Sequence, residues 1–171
     1  MQEAISDSST LIHLAGIGRL ELLKDFYGKI LITPAVWKEV VEEGKGRPGA
    51  SEVKEANSSG WIEVIAPSNE SVVRLLEREL HKGEAEAIAL GIERRPAVIL
   101  LDESEARRVA DVYGLHKTGV IGILIRAKLE GKVASLREEL DRLRSEAGFW
   151  IGDEIYWQAV KAVAEGKNHP K

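Results

Sequence analysis

Residues 97–103, AVILLDE, decide the fold class of this chain. Their apolar part, residues 97–101, is continuous rather than alternating, which is typical of a strand that is buried on both faces of a parallel sheet. Asp102 ends the strand, and the apolar spacing of residues 103–112 predicts a helix. A buried strand that passes directly into a helix predicts an α/β fold.

The same strand-to-helix order occurs twice near the N-terminus. Ala4-Ile5-Ser6 predicts a strand, and Asp7 with the hydroxyl residues after it supplies capping groups for a helix. Residues 30–32 predict a second buried strand, and Thr33-Pro34 predicts the cap and first turn of the next helix, residues 35–43. Repeated units of this kind predict a parallel sheet with helices on both faces.

The rest of the chain continues the alternation. The patterns predict strands at residues 61–65 and near Leu115, and helices at residues 50–57, 68–80, 84–93 and, after Gly119, in three pieces that break near Gly131 and Gly148. The chain has 171 residues, 44% hydrophobic and 30% charged, which is typical of one soluble globular domain. We therefore expect a single core.

Composition excludes several classes of function. No cysteine is present, so disulfides, thiolate zinc sites and cysteine nucleophiles are excluded. The longest apolar stretch, residues 120–125, is far shorter than the roughly 20 residues of a membrane span, and the N-terminus has no secretory pattern. We therefore expect no membrane partner and a cytoplasmic location. A net charge of −4 argues against strong non-specific binding to DNA.

Three acidic residues fall where a predicted strand ends or a predicted helix begins: Asp7, Glu84 and Asp102. In a parallel α/β sheet these places meet at one edge, so the three carboxylates are expected to form one pocket. Neighbouring carboxylates repel each other, and a cation relieves that repulsion. Oxygen ligands of this kind are those that Mg²⁺ and Mn²⁺ prefer.

Each acid also has a simple structural explanation. Asp7 and Asp102 are placed to cap the helices that follow them, and Glu84 lies in a first turn, where a carboxylate meets the positive end of the helix dipole. Glu86 on the same helix has the same explanation. The shared position at the ends of neighbouring strands, rather than the residue types, is what favours a metal site.

Four segments resemble a PIN domain, of the prokaryotic PIN-like group of predicted nucleic-acid-binding proteins. In chain order they are SDSSTLIHLAGIGRLELL, ITPAVWKEVV, KGEAEAIALG and VILLDESEARRVA, which begin at residues 6, 32, 82 and 98. The resemblance implies a three-layer fold with about five parallel strands between helices. It covers residues 4–130, so we expect a core of residues 1–130 and a C-terminal helical extension, residues 131–171, packed on the same domain.

The resemblance implies a metal-dependent nuclease. Asp7 matches the family's aspartate after the first strand, Glu39 its glutamate on the helix after the second strand, and Asp102 its aspartate at the end of the fourth strand. Glu84 falls where the family usually has an aspartate, and Glu103 is an additional acid beside Asp102. Asp7, Glu84 and Asp102 are thus the implied catalytic residues, and all five acids are implied ligands of Mg²⁺ or Mn²⁺.

The implied reaction is metal-assisted hydrolysis of a phosphodiester bond, in which the metal lowers the pKa of the attacking water. Single-stranded RNA is favoured over DNA, because a flexible strand needs few phosphate contacts on an acidic protein. Candidates for holding the substrate are Ser8, Lys82, Arg107 and Lys117. Family relatives also imply a homodimer and an antitoxin-like protein partner, although toxin members are usually shorter than this chain.

Histidine and tryptophan residues are interpreted as structural. The four histidines have no zinc-type spacing and are expected at the surface or in packing positions. The four tryptophans are expected to be core or interface anchors rather than base-stacking platforms, and the last two, Trp150 and Trp157, are candidates for a dimer contact.

Two other functions are consistent with part of the pattern. A non-catalytic PIN-like module for nucleic-acid binding or protein interaction is favoured by the glutamate at position 84. A receiver-type phosphotransfer domain also has carboxylates and Mg²⁺ at strand ends, but it needs paired acids after the first strand. The segment Ser6–Ser9 offers one acid only.

Overall fold

The computed structural model describes residues 2–165, and the last six residues of the predicted extension lie outside that range. One sheet of five parallel strands lies at the centre, in the order β3-β2-β1-β4-β5. The strands are β1 Ala4–Ser6, β2 Ile30–Ile32, β3 Ile62–Val64, β4 Val98–Leu100 and β5 Lys117–Thr118. All five lie within or next to the predicted segments, and the parallel sheet is confirmed.

Helices connect every pair of consecutive strands. They are α1 Ser8–Gly16, α2 Glu21–Tyr27, α3 Pro34–Trp37, α4 Ala50–Ser58, α5 Glu70–Leu76, α6 Lys82–Arg94, α7 Ser104–Val112, α8 Val120–Leu129, α9 Leu136–Ser145 and α10 Asp153–Ala162. A π-helical turn, Lys38–Glu42, directly follows α3. Within the described range, no helix is both long and apolar enough to cross a membrane.

Alternation along the strands divides the core into two layers. In β1, Ala4 belongs to one apolar cluster and Ile5 to the other, because successive side chains of a strand point to opposite faces. In β4, Leu100 and Ile99 divide in the same way. One face of the sheet is covered by α1–α4 with α8–α10, and the other by α5–α7. The predicted three-layer architecture is therefore confirmed.

Two predicted helices differ in the structure. The predicted helix at residues 68–80 ends at Leu76, because the next backbone bonds, Arg78 N–H to Leu75 O and Glu79 N–H to Leu76 O, close tighter turns. The predicted helix at residues 35–43 is divided into α3 and the wider π-helical turn, in which Glu43 N–H donates to Lys38 O.

The C-terminal helices share the core of the strands. Leu136, Leu140 and Leu143 of α9 are fully buried in the cluster that also contains α1, α2 and α8. On the same helix the carboxylate of Glu139, a residue only 4% exposed, accepts two hydrogen bonds from Arg19, of 3.0 and 2.7 Å. A buried carboxylate is costly unless it is paired in this way. These contacts hold α9 against the N-terminal part of the chain.

The central strand pair determines which residues meet at the edge of the sheet. β1 and β4 are neighbours in register, with Ser6 opposite Leu100. The N–H of Asp7 continues this pairing by donating to Leu100 O at 3.0 Å. Both strands therefore end at the same level, and the chain turns into a helix from both at this place.

Candidate functional site

Asp7 is the buried cap of α1. One of its oxygens accepts a hydrogen bond from Thr10 N–H at 2.9 Å, and the other lies 3.4 Å from Asp102 N–H. The residue is only 2% exposed. The capping interpretation of Asp7 is therefore correct, and the same carboxylate also contacts the end of β4.

Asp102 has a different structural role from the one that its position predicts. The sequence places it to cap the helix at Glu103, but its Oδ1 accepts from Val120 N–H, at the start of α8, at 2.9 Å. Its Oδ2 accepts from the Thr10 hydroxyl at 3.0 Å and lies 3.2 Å from His13 Nδ1. Asp102 thus joins β4 to α1 and α8.

Gly119 permits this arrangement. A Cβ at position 119 would lie 2.5 Å from Oδ1 of Asp102 and 3.0 Å from Leu101 O. Contacts that short are not tolerated, so a side chain here would push the carboxylate away from the start of α8. The glycine before α8 is therefore needed for the position of Asp102.

Burial and the nearby Asp102 charge together raise the pKa of the Asp7 carboxyl to about 7, with burial the larger cause. Hydrogen bonds from Thr10 and from the Asp102 N–H oppose this rise without cancelling it. The folded protein therefore holds a pair of carboxyl groups of which one is protonated part of the time near neutral pH. Such a pair gains most from a nearby positive charge.

A second group of acids consists of Glu39, Glu84 and Glu103. Glu39 lies on the π-helical turn, and its Oε1 accepts a hydrogen bond of 2.8 Å from the Ser8 hydroxyl. Position 83, at the start of α6, is close enough that a Cβ there would lie 3.2 Å from the same oxygen. Ser8 thus links this group to Asp7, its neighbour in the chain.

Glu84 is close enough to Glu39 and Glu103 that the charges of both affect its carboxyl group. Burial raises the pKa of its carboxyl, and the negative charges of Glu103 and Glu39 raise it further. A hydrogen bond from His81 N–H, 3.3 Å long, acts in the opposite direction. Glu86, two residues further along α6, has a different partner, since its Oε1 accepts from Ala35 N–H at 3.0 Å and caps α3.

The acids thus occur as a pair and a separate group. Within residues 2–165, no three histidine, aspartate or glutamate side chains lie close enough together to hold one metal ion. The five predicted metal ligands therefore do not form one ready-made cage in the structure. Their assignment as ligands and catalytic residues stays a prediction.

The Asp7 and Asp102 carboxylates nevertheless fit a hard divalent cation. A carboxylate has about four acceptor positions on its two oxygens. Asp7 uses two of them, for the N–H groups of Thr10 and Asp102, and Asp102 uses three, for Thr10, His13 and Val120. Both therefore retain acceptor capacity, in the oxygen chemistry that Mg²⁺ and Mn²⁺ require.

The predicted substrate-binding cations divide between two places. Arg107 and Lys117 line a cleft of about 1150 Å³ together with Asp102. Arg107 donates to Leu101 O at 2.8 Å, and Lys117 pairs with Asp111 at 2.6 Å. Lys82 lies exposed at the start of α6 and outside the lining of this cleft.

His13 belongs to the site, although the sequence interpretation assigned it to the surface or to packing. Its ring lies between the Asp102 carboxylate, at 3.2 Å, and the Phe149 ring, at 4.5 Å between centroids. The spacing of Thr10 and His13, three residues apart, places both on the face of α1 that meets Asp102. That spacing is a signal from which His13 could have been found.

The wall formed by the C-terminal segment has no comparable signal in the sequence. Residues 148–152 and Ile155 line the cleft together with residues of α7 and β5. Phe149 is fixed there by its contact with His13 and by its N–H, which donates to Leu143 O at 2.9 Å. The cleft therefore includes residues from both the N-terminal and the C-terminal parts of the chain.

Comparison with known proteins identifies a family for this chain. The model of one protein family, DUF3368, described as a PIN domain, matches residues 3–165. No curated protein sequence matches the chain at a significant level.

Proposed function

Since the chain belongs to the PIN-domain family DUF3368, and PIN domains are generally nucleases, we propose that it is a metal-dependent endoribonuclease that cuts single-stranded RNA. The observation that carries the proposal is the meeting of Asp7 and Asp102 at the ends of adjacent parallel strands: the Asp7 carboxylate lies 3.4 Å from the Asp102 N–H, and the Asp102 charge raises the pKa of the Asp7 carboxyl. The cations Arg107 and Lys117 line the same cleft as Asp102.

Asp7 and Asp102 are proposed to hold Mg²⁺ or Mn²⁺ in the absence of a complete protein cage. Mg²⁺ is usually bound through one or two carboxylates, with waters and substrate phosphate oxygens as its other ligands. A bound ion of this kind lowers the pKa of an attacking water and offsets the negative charge on the phosphate. Glu39, Glu84 and Glu103 are proposed as a neighbouring acidic group that binds a second ion or its waters.

The remaining residues of the site have positioning roles. His13 and Thr10 hold one oxygen of Asp102, and Val120 N–H holds the other, so the carboxylate keeps one orientation. Arg107 and Lys117 are proposed to contact the RNA backbone, because phosphate contacts fix the register of a bound strand. Ser8 acts through Glu39, since its hydroxyl donates to that acid.

A second candidate is a PIN-like module that binds nucleic acid or protein without cutting. The observation that favours it is the separation of the acids into two groups, without three close enough to share an ion in the described part of the chain. The proposed homodimer, antitoxin-like partner and cytoplasmic location follow from the sequence expectations alone and stay predictions.

The nuclease proposal is tested by incubating the protein with a labelled single-stranded RNA and, in parallel, with single-stranded DNA of the same sequence. We expect cleavage products with Mn²⁺ or Mg²⁺, none with EDTA, and slower cleavage of the DNA and of duplex RNA. Gel electrophoresis of the products gives the rates. Binding of RNA without cleavage in Mn²⁺ would establish the non-catalytic module instead.

Glu84→Gln and Glu86→Gln form a matched pair on one helix. We expect the first change to lower the cleavage rate about 10- to 100-fold, the range for groups that orient metal ligands, because Glu84 lies beside Glu39 and Glu103. The second should leave the rate within about twofold, because the Glu86 carboxylate caps α3. A cleavage rate in Glu84→Gln that equals the near-wild-type rate of Glu86→Gln would show that Glu84 serves only as a helix cap.

A further inference from the structure

Trp150 is the most exposed large apolar side chain in the described part of the chain. It is 84% exposed, whereas its neighbour Ile151 is buried and Phe149 is half-buried. This exposure excludes the core position among the roles expected of the tryptophans, whereas the expected dimer contact of Trp150 stays a prediction. An indole left this accessible loses most of the free energy that its burial would contribute, so its position needs a reason beyond folding.

The backbone on both sides of Trp150 is firmly held. Ile151 O accepts a hydrogen bond of 2.8 Å from Arg144, and Phe149 N–H donates to Leu143 O at 2.9 Å. The six-membered ring of the indole lies over Gly152, where an added Cβ would come within 3.2 Å of it. The ring is therefore presented on a fixed segment, which lowers the entropy cost of binding to it.

Trp150 shares a cleft with one of the proposed catalytic acids, Asp102. It lines the cleft that contains Asp102, and it also borders a second cavity of about 480 Å³ with Arg144 and Asp153. The residue before it, Phe149, packs on His13, which lies 3.2 Å from the Asp102 carboxylate. The indole thus borders two open spaces, one of which Asp102 also lines.

The cleft is lined by charges of both signs. Arg107, Arg108 and Lys117 line it as cations, and Asp102, Glu103 and Asp111 line it as acids. Lys117 is paired with Asp111, and Arg108 with residues outside the lining, whereas the Arg107 guanidinium donates to a backbone oxygen and keeps its full charge. Arg107 is thus the cation that remains available to a phosphate, and an exposed aromatic ring in the same cleft as such a cation is a combination with which proteins hold unpaired nucleotides.

A second copy of the chain is the main alternative occupant. The exposed apolar side chains of the segment are Trp150, Ile155 and Trp157. Ile155 and Trp157 are two residues apart on α10 and therefore face different sides of that helix, so the three side chains do not form one continuous patch for a partner. Because Trp150 lines the cleft that contains Asp102 and Trp157 does not, the observations favour a ligand of that cleft over a second protein.

We propose that Trp150 is a stacking platform for an unpaired base of the nucleic acid strand that lies in the cleft. The proposal rests on the nuclease function above and adds how the strand is positioned. A stacked base next to the scissile phosphate holds the backbone near Asp102 and requires that the nucleotide is not paired. It thereby gives a structural cause for a preference for single strands.

The test measures binding without cleavage. Wild-type protein in EDTA is titrated into a labelled twelve-nucleotide oligo(U) or oligo(dT), and the dissociation constant is obtained from fluorescence anisotropy. We expect Trp150→Ala to weaken binding about 5- to 100-fold and Trp150→Phe to weaken it less, because stacking on an aromatic ring persists in Phe. Trp157→Ala is the matched control, since Trp157 lies outside the cleft lining and packs on Tyr156.

An oligomer of abasic sugar-phosphate units separates stacking from phosphate binding. The effect of Trp150→Ala should disappear with this probe, because no base is left to stack. Equal affinities of wild type and Trp150→Ala for oligo(U) would overturn the stacking proposal while RNA cleavage could still support the nuclease. A wild-type protein that neither binds nor cuts RNA would overturn both. A dimer that dissociates in Trp150→Ala, without a change in oligonucleotide affinity, would assign the side chain to a protein interface.

Discussion

Asp102→Asn should lower the rate of Mn²⁺-dependent RNA cleavage about 100- to 1000-fold. The carboxylate is one of two that are proposed to hold the ion, and metal stabilisation of a transition state contributes several kcal/mol, with each 1.4 kcal/mol equal to a factor of ten in rate. Asparagine keeps an oxygen to accept from Val120 N–H, so the start of α8 is retained. The measurement is the single-turnover rate at saturating Mn²⁺.

A carboxylate at the other end of α8 provides the control. Glu130 follows the last residue of the helix and pairs with Arg126 at 2.8 Å. The ten residues of α8 separate it from the start of the helix by about 15 Å. Glu130→Gln removes the same charge and should keep the wild-type rate. Cleavage that survives in a folded Asp102→Asn protein would contradict the metal role of this acid.

Asp7→Asn should make the metal-free protein more stable than wild type at pH 8, by about 3 kcal/mol. The pKa of the Asp7 carboxyl is raised from its ordinary 3.8 to about 7, so ionising this group above pH 7 costs the folded state on the order of 4 kcal/mol. The asparagine avoids that cost, although it binds Asp102 N–H less well than a carboxylate does. Urea denaturation in EDTA between pH 4 and pH 8 measures the difference.

The sign of the pH dependence follows from where the proton is held. The folded chain binds the Asp7 proton more tightly than the unfolded chain does. The protonated carboxyl therefore contributes its full share to the free energy of unfolding of the wild type below pH 3.8, and this contribution is lost as the pH rises through about 7. The advantage of Asp7→Asn should therefore vanish near pH 4. Asp25→Asn, which removes the same charge from a half-exposed side chain on α2, is the matched control.

The same urea denaturation, repeated in Mn²⁺ instead of EDTA, tests metal binding independently. An ion that binds the folded wild type should recover part of the lost stability, by about 2.7 kcal/mol at a concentration one hundred times its dissociation constant. Asp7→Asn should recover much less. A stability of wild type that is the same in EDTA and in Mn²⁺ at pH 8 would argue against a metal at this pair of carboxylates.

The site also explains why the C-terminal helices belong to a functional description of this chain. Arg19 and Glu139 join α9 to the loop after α1, and Phe149 packs on His13 of α1. Because α1 also provides the Thr10 hydroxyl that binds Asp102, the C-terminal segment supports the same helix that orients the acid. A change in α9 is therefore able to alter the site without contacting substrate.

Local signals in the sequence determined the architecture and the positions of two acids of the candidate site. The uninterrupted apolar run that ends at Leu101 indicated a central strand, and the acids at Asp7 and Asp102 were found from their place at strand ends. The strand and the strand ends could be predicted because burial on two faces and the turn into a helix depend on neighbouring residues. The match of residues 3–165 to a PIN-domain family agrees with them.

Only the tertiary structure decided which groups those acids meet. It directed the Asp102 carboxylate to α8 rather than α7, assigned Glu86 to the cap of α3, and brought His13 and Trp150 to one cleft. Each of these contacts joins residues that are distant in the chain, so it depends on strand order and on the packing of α9 and α10. Neither can be predicted from a local sequence pattern. The sequence by itself therefore determined the layers and the acidic edge of the sheet. The packing of remote segments determined the partners of each acid and the wall of the cleft.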